Sequence, residues 1–247
     1  MAHDLATAQD FYTAVLGWRY KPGIQGRGDY AVALVHGSPV AGLAAGARLM
    51  GFPVCWTAYF AAASANRTAA RVHERGATIA VGPIPFGRGR VLWAADPDNA
   101  VFGIWEGEVD PDWRAGRHAG VPARLELRTR DPFASALFYG GVFDWDAQRG
   151  EGRESIDIGY EDDRVVLRIA DEPVADLLGG AVEAAPDPRV RPQWHVYFRV
   201  DSTDAAAAAA LAAGGTIVSP PDDSPFGRTA ALRDPEGGLF HVSEPEG

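Results

Sequence analysis

The chain has a single cysteine, Cys55, so no disulfide can close within it. Positive charge is also scarce: 23 Lys and Arg stand against 33 Asp and Glu, a net charge of −10. Long-range attraction to nucleic acid or to an anionic membrane is not expected from that balance. No apolar run approaches bilayer length. The first residues, Met-Ala-His-Asp-Leu-Ala, lack the basic and apolar regions of a signal peptide. There is no Gly-x-Ser-x-Gly elbow, Walker loop, His-Glu-x-x-His or dinucleotide glycine fingerprint. Together these absences predict a cytoplasmic protein; the expected partner is a small molecule, and the expected state a monomer or a homodimer.

What the chain does have is a repeat. Trp56-x-x-Tyr59-Phe60 recurs as Trp194-x-x-Tyr197-Phe198, and Pro85-Phe86-Gly87-Arg88 recurs as Pro225-Phe226-Gly227-Arg228. Asp96-Pro97-Asp98-Asn99-Ala100-Val101-Phe102 recurs as Asp234-Pro235-Glu236-Gly237-Gly238-Leu239-Phe240. Upstream, Phe11-Tyr12-x-x-Val15-x-x-Trp18 recurs as Phe138-Tyr139-x-x-Val142-x-x-Trp145. Four matches in the same order indicate a duplicated domain. With 247 residues, 47% of them hydrophobic, two cores are affordable. The Gly-, Pro- and charge-rich stretch 108–122 divides the chain into residues 1–110 and 120–247.

The second copy reads as strand 123–130, a helix opened by Asp131-Pro132 and running to Val142, and strands 155–160 and 164–169. A loop rich in Asp and Pro follows. Then come strand 194–200, helix 203–213 and strands 216–218, 228–233 and 239–243. This is strand–helix–strands performed twice, so the fold class is α+β with four such modules. Alternation assigns the faces. Val196, Phe198 and Val200, Leu125 and Leu127, and Phe240 and Val242 turn to the helices. His195, Tyr197 and Arg199, Arg124, Glu126, Arg128 and Arg130, and His241 turn the other way, into a curled cup.

These modules, the Phe-Tyr…Trp helix and the Asp-Pro-x-Gly turn before a last strand resemble the vicinal oxygen chelate superfamily. That superfamily includes glyoxalase I, extradiol dioxygenases and bleomycin-resistance-type binding proteins. The resemblance covers nearly the whole chain. It implies two tandem glyoxalase-like domains, each a pair of βαβββ modules forming a curled sheet cup with helices outside. It does not fix the reaction. Metal-dependent members place ligands on the cup face, and carried over these positions become Arg124, His195 and His241 in the second copy. His195-Val196-Tyr197-Phe198 fits the family pattern, whereas Arg124 cannot ligate a metal. The first copy offers Thr57 and Gly103, and the residue matching Arg124 falls before Met1.

His195 and His241 are therefore read in two ways. They are candidate ligands of a divalent metal in the second domain, or hydrogen-bonded cavity histidines or a substrate-binding pair. Known sites want three or more protein ligands, which favours the second reading. Catalysis in that cup would fall to His195, His241 and Glu126. Its charged side chains, which also include Asp157 and Arg168, either grip an anionic substrate or pair with one another. The first cup, lined by Val32, Leu34, Thr57, Tyr59, Val91, Trp93, Val101 and Trp105, suits an aromatic small molecule or an interface. Thr57, Tyr59, Trp93, Trp105, Arg124 and Tyr197 are the expected substrate-binding residues. His73 reads as solvated, and His36 and His118 as turn and linker residues. Two functions stay open: an enzyme acting on a small organic metabolite, and a sequestering protein that does no chemistry. The absent first strand of the first copy suggests either residues upstream of Met1 or a segment from elsewhere filling the gap.

Overall fold

The structure, a computed structural model, describes residues 1–24, 27–47, 51–109, 118–145 and 156–244. The chain is α+β, as the patterning predicts. Its contacts divide it into two compact units. Unit 1 holds Met1–Trp56, Asp112–Ala123 and Val196–Gly247; unit 2 holds Thr57–Pro111 and Arg124–His195. The units and the repeat cut the chain differently. Each unit takes one half of the first copy and one half of the second.

Unit 1 contains helix α1 (Leu5–Leu16) and strands β1 (Arg19–Ile24), β2 (Arg27–Val35) and β3 (Ser38–Ala44), which pair in that order. It also contains helix α4 (Thr203–Ala212), β13 (Thr216–Ser224), β14 (Gly227–Arg233), β15 (Leu239–Glu244) and most of β12 (Gln193–Arg199), in the order β13-β14-β15-β12. Unit 2 contains β4 (Tyr59–Ala61), helix α2 (Ala65–Glu74), β5 (Thr78–Phe86), β6 (Gly89–Ala95) and β7 (Val101–Glu106), in the order β4-β7-β6-β5. Its other half is β8 (Pro122–Arg128), helix α3 (Pro132–Phe143), β9 (Ile156–Glu161), β10 (Arg164–Ile169) and β11 (Glu172–Leu178), in the order β8-β11-β10-β9. Helix α1 packs on α4 in unit 1, and α2 on α3 in unit 2.

The helices start where the caps dictate. Asp4 accepts from the Thr7 N–H at 2.7 Å, and its counterpart Asp131 accepts from Phe133 and Ala134 at 3.0 Å each. Ser64 and Ser202 cap α2 and α4 in the same way. A helix that opens on a bonded donor pair gains about 1 kcal/mol over an uncapped one.

The repeated motifs turn out to build the cores. Phe11, Tyr12, Trp18, Trp56, Phe198 and Phe240 form one aromatic cluster in unit 1. Their counterparts Phe138, Tyr139, Trp145, Trp194, Phe60 and Phe102 form another in unit 2, joined by Phe143. A buried hydrogen-bond relay sits at the centre of each. In unit 1 the Trp56 indole donates to the Tyr12 hydroxyl at 2.8 Å, and that hydroxyl donates to Asp234 at 2.8 Å. In unit 2 Trp194 donates to Tyr139 and Tyr139 to Asp96, both at 2.9 Å. Each relay joins the helix of one copy to the Asp-Pro turn of the other. The cores therefore require both copies.

Two elements differ from the sequence reading. The Asp- and Pro-rich stretch after Ile169 is not all loop: it contains β11, which runs parallel to β8 with Ala175 opposite Leu125 and Leu178 opposite Arg128. Pro173 and the charge of Asp176 hide it. Pro173 sits beside a register shift, and Asp176 is neutralised by arginines. β13 extends to Ser224, beyond the expected Val218. It lies at an edge, where register shifts absorb Pro220-Pro221. No helix of the described residues is long and apolar enough to cross a membrane.

Candidate functional site

The charged face of unit 2 is built on β8, β10 and β11. Parallel pairing of β8 with β11 sets Glu126 beside Asp176, and their charges are met by arginines from both sides. Arg124 bonds Asp176 at 2.8 Å and lies 3.6 Å from Glu126. Arg128 bonds Glu126 at 2.8 Å, and Arg164 lies 3.6 Å from Asp176. Burial pushes the Asp176 carboxyl up against the opposing pull of Arg124 and Arg164. Glu126 is only 5% exposed and already holds two guanidinium partners. Further out, Arg168 pairs with Glu161 and Arg130 with Glu183, both at 2.6 Å. The pairing reading of this face holds for these residues. Its centre is drier than an open wet face, since Glu126 and Asp176 are both buried.

His195 lies in the same unit and is 3% exposed. Its Nε2 is 3.4 Å from the Gln193 amide. Burial lowers its pKa to about 4, a shift that the nearby Glu126 carboxylate opposes without cancelling. The imidazole is neutral at neutral pH. It is also a weak base, since efficient general bases titrate near the working pH.

His241 belongs to unit 1. On β15 it stands opposite Tyr197 of β12, and the two rings stack with centroids 4.5 Å apart at 25°. Both are buried. Among the described residues, no group of three or more His, Cys, Asp and Glu side chains is placed to hold a metal. Of the positions implied by the resemblance, Arg124 is engaged by Asp176, and Gly103 has no side chain. The residues present do not fit the three-ligand set of a metal-dependent member.

The aromatic face of unit 2 is arranged differently. Alternation along β4, β6 and β7 turns Phe60, Leu92, Ala94, Phe102 and Ile104 into the core. It leaves Tyr59, Val91, Trp93, Val101 and Trp105 on the other face. Tyr59 and Trp93 meet edge to face, with centroids 6.3 Å apart at 76°. Tyr59 stands opposite Gly103, where an added Cβ would come within 2.4 Å of its ring. Trp105 similarly covers Gly89, and its indole donates to the Glu108 carbonyl at 3.1 Å. Glycine here is what lets large rings lie flat on a strand. On this face Tyr59 is 45% exposed and Val101 49%, Trp93 and Trp105 are partly buried, and Val91 is buried, so the Tyr59 end is the accessible one. Thr57, just before β4, is partly buried in the same unit. Val32 and Leu34, which the sequence placed with this lining, belong to unit 1. A separate depression of about 550 Å³ lies beside α2 and β5, lined by Ala69, Ala70, His73, Ala77, Thr78 and Ile79. It gathers too few polar groups to act on a substrate, and His73 is exposed there as expected.

The glyoxalase-like domain family matches residues 124–243. CFP32 of Mycobacterium tuberculosis (strain CDC 1551 / Oshkosh), provisionally named a glyoxylase, is 34% identical over 249 residues, covering 98% of this chain and 91% of that protein. The chain belongs to the glyoxalase-like family of the vicinal oxygen chelate superfamily. The anthracycline biosynthesis protein DauV of Streptomyces sp. (strain C5) is 33% identical over 259 residues, covering 98% of this chain and 89% of its own. Among solved structures, the Mn(II)-bound glyoxalase of Novosphingobium aromaticivorans superposes with a TM-score of 0.56 at 16% identity, covering 98% of this chain and 79% of that one. An extradiol ring-cleaving dioxygenase from B. fuscum gives 0.57 at 15%, covering 98% and 68%. At those identities the superpositions establish the glyoxalase-like fold alone.

Proposed function

We propose that this glyoxalase-like protein acts on a small organic metabolite with a flat aromatic system, held on the Tyr59–Trp93–Trp105 face of unit 2. The observation that carries this reading is the contrast between two faces. The His195 face is buried and its acids and arginines are paired with one another. The aromatic face is accessible at its Tyr59 end and offers edge-to-face geometry that a third ring can join. The relatives named for anthracycline biosynthesis fit a fused-ring ligand, and the glyoxylase-named relatives leave chemistry on the ligand open.

Titration of a planar quinone or fused-ring phenol should quench tryptophan emission. Each ring contact is worth about 0.5–1.5 kcal/mol, so Trp93→Ala should weaken binding roughly 2- to 13-fold. Equal affinity in the Tyr59→Ala/Trp93→Ala double variant would place the ligand elsewhere.

A second reading has one observation behind it: a buried neutral imidazole, His195, in the field of Glu126. It assigns turnover of an anionic substrate to the charged face of unit 2, with His195 and Glu126 as its working groups. Under that reading His195→Ala abolishes product formation, followed by mass spectrometry, and Trp93→Ala leaves it intact. The opposite pattern supports the aromatic face.

A further inference from the structure

Two histidines outside both faces are brought together in unit 1. His36 sits in the two-residue turn between β2 and β3, where Val35 pairs with Ser38. Both turn residues have positive φ, 50° at His36 and 88° at Gly37. That is the mirror-image turn that matches strand twist, so the backbone of His36 is fixed by the hairpin. His118 lies in the segment that joins the two copies. Its ring meets His36 edge to face, with centroids 5.3 Å apart at 85°. Both residues are exposed.

The segment carrying His118 is fixed as well. Two residues on, the Gly120 carbonyl accepts from the Trp18 indole at 2.7 Å, and the Gly120 N–H donates to the Arg199 carbonyl at 2.7 Å. Gly120 has φ +81° and fits so closely that an added Cβ would come within 2.6 Å of the Leu16 carbonyl. The Val121 N–H closes the turn on the His118 carbonyl at 3.2 Å. Two imidazoles are thus presented on two independently braced backbones.

Their spacing is what a shared ion needs. A tetrahedral Zn²⁺ about 2.0–2.1 Å from each ligating nitrogen holds two imidazole centroids roughly 5.2 Å apart. We propose that His36 and His118 form a surface site for a borderline divalent transition ion (Zn²⁺, Ni²⁺ or Cu²⁺), clipping the β2–β3 hairpin to the inter-copy segment. Imidazole is the ligand type these ions share. With two protein ligands and the other positions open to water, the site is exchangeable rather than a closed structural one. It is independent of His195 and His241 and of any chemistry there.

The test uses the untagged full chain and Ni²⁺ or Zn²⁺ alone, titrated in competition with a chromophoric chelator. One ion should bind, and His36→Asn and His118→Asn should each weaken it at least tenfold. Asparagine tolerates the left-handed backbone at position 36, so the melting temperature without metal should be unchanged. That control separates a lost ligand from a lost fold. His73→Asn should bind as the parent does. Failure of the parent to bind, or unchanged affinity in the His36→Asn/His118→Asn variant, would overturn the site.

Discussion

Tyr139→Phe should be among the most damaging single-atom deletions in the protein. Tyr139 is fully buried, and its hydroxyl both donates to Asp96 and accepts from Trp194, each at 2.9 Å. Removing it takes a donor from a buried carboxylate, worth about 1.5–3 kcal/mol, and strands a buried indole N–H, about 1–3 kcal/mol. The two losses share one atom and do not simply add, so the expected cost is about 2–5 kcal/mol. For a chain of this size that lowers the melting temperature by roughly 5–15 °C. Asp96 keeps its bonds from Ala100 and Asp98 at 2.8 and 3.0 Å, so its turn survives. The matched Tyr12→Phe should cost less, because Trp56 is only half-buried and water can reach its indole. The pH dependence has a definite sign. Burial raises the Asp96 pKa, and the Tyr139 hydroxyl opposes that rise by bonding the charged form. Without the hydroxyl the pKa climbs further. The deficit relative to the parent should therefore be largest well above the Asp96 titration and narrow as pH falls through it. Calorimetry at several pH values reads all of this. A Tyr139→Phe melting temperature within about 1 °C of the parent would refute the reasoning.

Burial holds the His195 pKa near 4, so the folded state resists its protonation. Its contribution is intact above about pH 6.5 and is lost as pH falls from there toward 4, on the order of 3 kcal/mol in all. His195→Gln should flatten this acid limb of the stability curve; an unchanged limb would mean that another group sets it. Residues 1–110 and 120–247, expressed apart, should each fail to form a folded monomer, since each lacks part of both aromatic clusters. Mixed together they should give a one-to-one complex with native near-ultraviolet dichroism, and a cooperatively melting monomer of either half would count against the relays. Gly103→Ala puts a methyl where the Tyr59 ring lies. It should weaken aromatic ligands several-fold with a stability loss of about 1 kcal/mol, and quenching titrations would show no difference if Tyr59 were a bystander.

The fold was legible because its determinants are repeated. Cap, helix, Trp-x-x-Tyr-Phe strand and Asp-Pro turn each occur twice, and period-2 alternation named the core face of β12, β8 and β15. What escaped was long-range pairing. Nothing local links Tyr12 to Asp234 or Tyr139 to Asp96, so the copies read as self-contained although each compact unit draws on both. Asp176 made β11 look like loop, because its compensating charges, Arg124 and Arg164, come from other strands. The charged face was legible as residues and as mutual pairing, but not as to which acid meets which arginine. The aromatic face was legible as a lining, but alternation alone did not reveal that Val32 and Leu34 belong to the other unit. The His36–His118 juxtaposition had no sequence signal beyond a turn and a linker.

The two faces of these strands differ unequally between the copies, and packing explains why. At helix-facing positions the copies carry Phe60 and Phe198, Phe102 and Phe240, Ile104 and Val242. Along β6 and β14 even the exchanges compensate: Leu92 and Ala94 in one copy are Ala230 and Leu232 in the other, and all four are buried. A close-packed interior accepts a swap that conserves volume and resists one that does not. On the opposite face the same offsets pair Thr57 with His195, Trp93 with Ala231, Gly103 with His241 and Trp105 with Ser243. A tyrosine is kept there, at 59 and 197, and it covers whatever its partner strand presents. In β4–β7 that is a glycine; in β12–β15 it is an imidazole. The retained tyrosine is thus a cross-strand lid, and the residue beneath it, Gly103 in one copy and His241 in the other, is free to differ because the ring above it supplies the packing.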